Sequence, residues 1–595
     1  MDNIPHESVG ESLLNPEVNL KFPKVRISQV TDTENFLNTR VELNDQIGMV
    51  KYVGKLKHKE DPSLWVGVEW EDPSRGKHNG TVEGVEYFKT TNNLPSGSLI
   101  RLNKINIGST FEQAINFKYN FYNSKGNDIH QLLDRALETD NFIKANKKII
   151  NIELVGKEKA VKEFSSYSKM VCIDLTNCYI KELGNDIHTM LPKLRELMLT
   201  RTLLTKWSHL IDLLEQFPLL TMLNFSENIL RFDDDFDNKI KPFETKEKKL
   251  YLETLVLNKC KIDFYGLIKL SPIFLSLNKL YLMGNDLNQE SYNSSPNKEY
   301  IDKNLNSLQA NTPNLTYISV ERNKIKNFMF IYKMIPSQNL KYINMNQNHL
   351  VDLLNPDDKE EQALIPQFIK TVKNISIDYN MFPETVFTKV VQDIELLGFR
   401  DIDILNNSFI DKNGIEKAKI ELIGRNPNLE VLNNTTITKI LRRDYEKLYL
   451  KQSVSSYIDL PRQEKVTQEN FDTKDFENYM NKNHKQYFVL RKKYFDPLDE
   501  FINLLQKKSN NTIMANVVEV LLVYEKGQKE KKKKFPKTTT IGNLRNLCMK
   551  LFSMDCNETF SFYVKTEAQT ELIEDETNTL QSLGFSSNNH TLILK

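Results

Sequence analysis

At 595 residues the chain exceeds what one hydrophobic core organises, so several domains are expected. Its 80 Lys and Arg balance 79 Asp and Glu to a net charge of +1, which excludes a global field that would draw it to nucleic acid or an anionic membrane. The five cysteines, Cys172, Cys178, Cys260, Cys548 and Cys556, form no Cys-x-x-Cys pair; so odd and sparse a set excludes a disulfide framework and implies a reducing compartment.

Residues 1–36 read as an N-terminal tail, whose start, MDNIPHESVGESLLNPEVNL, is acidic where a secretory or transit peptide would be basic. No apolar run reaches the ~18 residues of a membrane span, so a soluble cytoplasmic protein is expected. From 37 to 107 short alternating pieces, RVEL, GMVKYVG, LWVGVEW and SLIRLNKI, are separated by turn residues and predict a small all-β domain. Its glycines let a small sheet bend sharply around few residues. GMVKYVG, WVGVEW, GKHNG, YFK and GSLIRLNKI resemble, in order and spacing, a CAP-Gly domain with its barrel-like fold.

That resemblance implies a groove for the acidic, aromatic-tipped C-terminal tail of α-tubulin. Lys77 would pair with tail carboxylates, His78 and Asn79 would hydrogen-bond the tail or brace the loop, and Gly76 and Gly80 would let the backbone come close. Trp65, Trp70 and Phe88 would wall the groove. The loop departs from the family's GKNDG at His78 and Asn79 and so lacks its acid.

Residues 108–163 read as a connector with helical patches such as DIHQLLDRALE. From 164 to 440 the pattern L-x-x-L-x-L-x-x-N-x-L recurs, in MVCIDLTNCYI, LRELMLTRTLL, LTMLNFSENIL, LETLVLNKCKI, LNKLYLMGNDL, LTYISVERNKI, LKYINMNQNHL, VKNISIDYNMF and FRDIDILNNSF, with LEVLNNTTI a degenerate last copy. Such an array is an α/β leucine-rich-repeat solenoid with strands on its concave side. The ninth-place asparagines, Asn228, Asn285, Asn323, Asn348, Asn380 and Asn407, are expected to bond backbone groups of neighbouring coils, a structural role. Longer gaps between copies are expected to be loops, and DDDFD (233–237) a solvated one, because it lacks the glycine and distal glutamate of a Ca²⁺ loop. Third, fifth and seventh places should face outward on the strands. They hold the acids Asp174, Glu196, Glu321, Asp378, Asp401 and Asp403 against one base, Lys279, and the aromatics Tyr281, Tyr317 and Tyr342 in consecutive copies. An acidic concave face with a tyrosine strip is a protein-binding surface by chemistry.

Residues 441–511 read as C-terminal cap helices and a spacer without sustained heptads. From 512 to 595 the order strand, strand, helix, strand, short turn, strand resembles an α+β ubiquitin-like β-grasp domain, expected to dock rather than be conjugated because no di-glycine tail is present. The run Lys526, Lys529, Lys531 to Lys534 and Lys537 reads as a solvated hairpin loop, or else as a patch that seeks acids.

In this order the three modules resemble the tubulin-folding cofactor E family. The resemblance implies capture of α-tubulin, a larger complex with β-tubulin, other tubulin cofactors and a small GTPase, and assembly or dissociation of the αβ heterodimer. It places the protein in the cytoplasm and on the cytoskeleton. No phosphate-binding loop, HExxH or GxSxG occurs, so no enzyme activity, metal or cofactor is expected. A microtubule-associated CAP-Gly adaptor and a proteasome shuttle working through the ubiquitin-like domain are the alternatives.

Overall fold

The computed structural model describes residues 24–26, 36–57, 62–120, 167–335, 337–460, 472–498, 517–554, 560–565, 570–573, 575–585 and 590–595. The run 128–138, expected to be helical, lies outside them. The chain forms two compact units, 1–445 and 446–595.

The first unit opens with a small β domain. Strands β1 (Arg40–Leu43), β2 (Gln46–Gly54), β3 (Trp65–Trp70) and β6 (Gly97–Arg101) make an antiparallel sheet, with the ribbon of β4 (Thr81–Val82) and β5 (Val85–Glu86) beside it. Alternation buries Val41, Val50, Val66, Val68 and Trp70 together with Leu102 and Ile105. A register shift between Val50 and Tyr52 bends β2 where the apolar alternation breaks. Part of the expected tail belongs to this domain: Val25 N–H donates to Asn106 Oδ1 and Val25 O accepts from Ile107 N–H.

The repeats follow as one long sheet. Strands β8 (Cys172–Asp174), β10 (Glu196–Met198), β11 (Met222–Asn224), β12 (Thr254–Val256), β13 (Lys279–Tyr281), β14 (Tyr317–Ser319), β15 (Tyr342–Asn344), β16 (Asn374–Ser376), β17 (Asp401–Asp403) and β18 (Val431–Leu432) pair in parallel; β19 (Thr435–Thr436) closes the edge antiparallel. At the other end β7 (Ser109–Thr110) pairs with β9 (Ile180–Glu182), and the helix Phe111–Asn120 buries Phe111, Ala114 and Ile115 in the solenoid core. Residues 108–120 therefore cap the first repeat, where a connector was expected.

Strands such as β10, β13 and β15 bury their middle residues, Leu197, Leu280 and Ile343, and leave the two beside each less buried. The longer gaps are not loops. Helices Phe236–Glu244, Lys298–Ala310 and Lys359–Thr371 fill them, because their apolar stripes, for instance Ile301 with Leu308, cover the side of the core opposite the strands. DDDFD likewise enters a helix instead of a solvated loop. Asp233 accepts from Ser208 Oγ at 2.9 Å and lies 3.5 Å from Lys206, Asp237 pairs with Lys269 at 2.6 Å, and Phe236 is buried.

The asparagines form the expected ladder. Asn348 Nδ2 donates to Val320 O and Met345 O, while its Oδ1 accepts from Asn323 N–H at 2.9 Å and Ile325 N–H at 3.1 Å. Asn285 and Asn407 make the same kind of bridge from one coil to the next.

In the second unit, Tyr449, Leu450, Val454 and Tyr457 on the helix Lys439–Ile458 are buried, as are Phe476 and Met480 on Thr473–Asn483 and Tyr487 and Leu490 on Tyr487–Lys493. Beyond them β20 (Val517–Tyr524), β21 (Lys529–Pro536), β22 (Phe562–Lys565), β23 (Thr570–Ile573) and β24 (His590–Leu594) form a sheet in the order β21-β20-β24-β22-β23. The helix Ile541–Phe552 packs Leu544 and Cys548 into its core, completing a β-grasp fold. The lysine run is not a hairpin loop. Lys529 and Lys531 to Lys534 lie in β21, paired residue by residue with β20 and exposed at the sheet edge. An alternating strand such as β20 needs a hydrogen-bonded neighbour, and that demand outweighs the poor strand preference of lysine.

Candidate functional site

Lys77, His78 and Asn79 stand on a loop bound to β6. Lys77 N–H donates to Gly97 O at 2.7 Å, and His78 and Gly97 exchange backbone bonds. The flanking glycines serve this packing. A side chain on Gly76 would lie 2.0 Å from Pro95 O, and one on Gly80, at φ +103°, 1.9 Å from Phe88 O. Their close approach is to the domain's own backbone.

Lys77 is exposed, and among the described residues its ammonium has no carboxylate partner. The next two side chains both make hydrogen bonds that brace the loop. His78 Nδ1 accepts from Gly80 N–H at 3.1 Å, which fixes it as an unprotonated acceptor. Burial, and then the charge of Lys77, lower its pKa and favour that neutral form. Asn79 donates from Nδ2 to Asn93 Oδ1 and accepts from Thr81 N–H at Oδ1.

Of the three expected walls, Trp65 is half-buried with the Arg101 guanidinium 5.6 Å from its ring, but Trp70 and Phe88 are not open surface. Trp70 is 3% exposed, donates from Nε1 to Ser98 Oγ and carries Arg75 on its ring at 4.0 Å. Phe88 is 7% exposed; its ring centroid lies 5.9 Å from that of His78. These are core rings because the sheet is too small to form an interior without them.

Besides Trp65, Tyr52 and Tyr87 are half-buried, edge to face with centroids 5.3 Å apart. A side chain built on Gly67 would touch both Phe88 and Tyr52, so His78, Phe88, Tyr52 and Tyr87 form one continuous row beside Lys77. Tyr52 and Tyr87 sit inside the quoted pieces GMVKYVG and YFK, and the register break in β2 falls between Val50 and Tyr52.

A second candidate surface lies on the strands of the solenoid. Tyr317 pairs in register with Tyr342 and Lys279, while Tyr281 pairs with Ser319. The three tyrosines nevertheless form one strip: centroids of Tyr281 and Tyr317 are 5.0 Å apart, and Tyr317 stacks on Tyr342 at 5.0 Å and 17°. Burial raises all three phenols, Tyr317 to about 12, and beside Tyr342 the charge of Asp403 adds to the effect. All three stay neutral donors near pH 7.

Asp401 is half-buried in the first column of the sheet, next to Asn374. Asp378 accepts from Leu405 N–H, and burial followed by the Asp403 charge pushes it up to about 6. Asp403, expected on the open face, is 7% exposed and accepts from Asn434 N–H of the closing turn. The terminal hairpin covers it.

Residues 37–105 match the CAP-Gly domain family. Over 557 residues, 92% of this chain and 96% of the other, the sequence is 26% identical to tubulin-specific chaperone E of Xenopus laevis. Tubulin-folding cofactor E of Arabidopsis thaliana is 24% identical over 573 residues, 93% of this chain and 96% of that protein. Over nearly its whole length the chain is thus similar to proteins named tubulin-specific chaperone E or tubulin-folding cofactor E. A solution structure of the C-terminal ubiquitin-like domain of mouse tubulin-specific chaperone e is similar to 14% of this chain and covers 91% of its own length, at 13% identity and a TM-score of 0.13. The chain itself carries a CAP-Gly domain, a leucine-rich-repeat solenoid and a β-grasp domain, in that order. Among the described residues no helix is long and apolar enough to cross a membrane and no cluster of side chains could hold a metal ion.

Proposed function

We propose that the protein is a tubulin-folding chaperone that binds α-tubulin and takes part in assembling and dissociating the αβ heterodimer. The observation that carries this reading is the alignment with relatives named for tubulin folding, which spans 96% of their length and so includes all three modules. The exposed, unpaired Lys77 beside the row His78, Phe88, Tyr52 and Tyr87 suits an acidic peptide with an aromatic tip. The tyrosine strip with Asp378 and Asp401 suits a larger, mixed or basic surface on the folded body of the same partner. Other tubulin cofactors, β-tubulin and a small GTPase would complete the complex, and the β-grasp domain would provide docking, with the proteasome as one possible target. The cytoplasm and cytoskeleton are where such work is done.

Mixing the pure protein with αβ-tubulin and separating the products by gel filtration tests this. Dissociated subunits, with one retained by the chain, are expected. Binding to intact microtubules without dissociation would make it an adaptor, and no tubulin binding at all would leave the shuttle.

A further inference from the structure

Arg40, on β1 of the CAP-Gly domain, is 1% exposed. A guanidinium is buried so completely only where every donor is met. Its Nε donates to Glu71 Oε1 at 2.8 Å and Nη2 lies 2.7 Å from the same oxygen. The rest of the fork crosses to the solenoid. Nη1 donates to Thr202 O at 2.7 Å and approaches Leu204 O and Asn228 Oδ1 at 3.4 Å each, and Nη2 reaches Glu227 O at 3.3 Å. Asn228 is a rung of the asparagine ladder and already holds Thr202 N–H and Oγ1. The arginine is thus wired into the solenoid's own polar spine.

Around it the turn between β1 and β2 rests on the first repeats. Ile47 packs with Tyr179 and Leu203, Tyr179 Oη donates to Asp45 Oδ1 at 3.2 Å, and the Arg201 guanidinium donates to the Asp45 carbonyl. Apolar contact, rim hydrogen bonds and a central buried fork make a fixed joint, where a bead on a flexible tether would show none of them.

We propose that Arg40 is a positioning residue: it holds the Lys77 loop at a set distance and orientation from the tyrosine strip, so that one partner is gripped by tail and body at once. The inference rests on the two-surface reading above. A tethered domain would give only the effective concentration of its linker, whereas a locked one admits a partner whose acidic tail leaves its body at the matching place. Arg40 therefore contributes to selectivity without touching the partner.

The test compares wild type with Arg40→Ala and Arg40→Lys in three measurements. Spin labels on Lys89→Cys and Lys341→Cys, with Cys172 and Cys556 replaced by Ser, report the inter-domain distance; calorimetry reports affinity for an acidic peptide ending Glu-Glu-Tyr and, separately, for intact tubulin. Expected in Arg40→Ala are a broadened distance, unchanged peptide affinity, and at least a tenfold loss on intact tubulin. Arg40→Lys should recover little, since an ammonium cannot span Glu71 and the four solenoid acceptors together. If Arg40→Ala does not fold, Tyr179→Phe with Arg201→Ala, which loosens only the rim, should show the same pattern more weakly. A broadened distance with intact-tubulin affinity unchanged overturns the proposal, as does an unbroadened distance in a folded Arg40→Ala. A wild-type chain that binds intact tubulin but not the peptide instead removes the groove reading, and the proposal with it.

Discussion

On the proposed reading, tail capture turns on Lys77. It is exposed and unpaired among the described residues, while its neighbours His78 and Asn79 are spent on bracing. A charge-assisted hydrogen bond contributes about 1.5 to 3 kcal/mol, so Lys77→Ala should weaken binding of a Glu-Glu-Tyr peptide roughly tenfold or more while the melting temperature stays put. Equal affinity by calorimetry would move the site elsewhere. Asp378 offers a different residue-scale prediction. Its pKa is raised from 3.8 to about 6 in the folded state, first by burial and then by Asp403, so between those values the folded chain holds a proton that the unfolded chain releases. Stability from this group is therefore present below about pH 4 and lost as pH rises through 6. Asp378→Asn, which keeps an oxygen for Leu405 N–H, should raise the melting temperature at pH 7 and leave it unchanged near pH 4. That the lysine, the histidine and the glycines share one tight loop was legible because a loop motif is local. That Trp70 and Phe88 turn inward while Tyr52 and Tyr87 remain half-exposed was not, since it depends on a bulge in β2 and on how few residues the domain has for a core.

Elements were legible where the sequence repeats itself. The solenoid's strands fall on the leucine pattern, and the ladder follows from an asparagine at one fixed place, because stacking identical coils turns a sequence period into a spatial one. Asn323→Ala or Asn348→Ala should therefore cost about 1 to 3 kcal/mol of stability by leaving buried backbone groups unpaired, with tubulin binding retained by the folded protein. Loss of binding without loss of stability, read from denaturant titration, would contradict the structural assignment. The helices in the long gaps were missed because each interrupts the repeat once and carries only a short apolar stripe of its own. The lysines of β21 read as a hairpin loop for another reason: charge reads as solvent, and KEKKKK forms a strand only because β20 lies beside it. Exposed edge lysines repel a second copy of the sheet. Replacing Lys531 and Lys533 with Val should make the protein associate with itself at concentrations where the wild type scatters no excess light.

At the scale of the whole molecule the question is whether the two surfaces act on one partner. No periodicity announces the joint at Arg40, whose solenoid acceptors lie more than 160 residues away in sequence, so the sequence reads as modules joined by a connector. In the structure the CAP-Gly domain and the first repeats share hydrogen bonds and a small apolar contact. Two sites held on one partner contribute jointly through effective concentration, and each can be switched off separately. Lys77→Ala should thus lower affinity for intact tubulin by about the factor it costs with the peptide, and should change nothing with tubulin whose α-tail has been cut away. Tyr317→Ala combined with Tyr342→Ala removes the stacked pair and should cost the same factor with both forms, because the strip would face the folded body of the partner. Equilibrium titration of the two variants against the two forms of tubulin closes this cycle. A loss from Lys77→Ala that persists on tail-less tubulin would place the loop against the body, and a tyrosine effect confined to the tailed form would place the strip in the path of the tail.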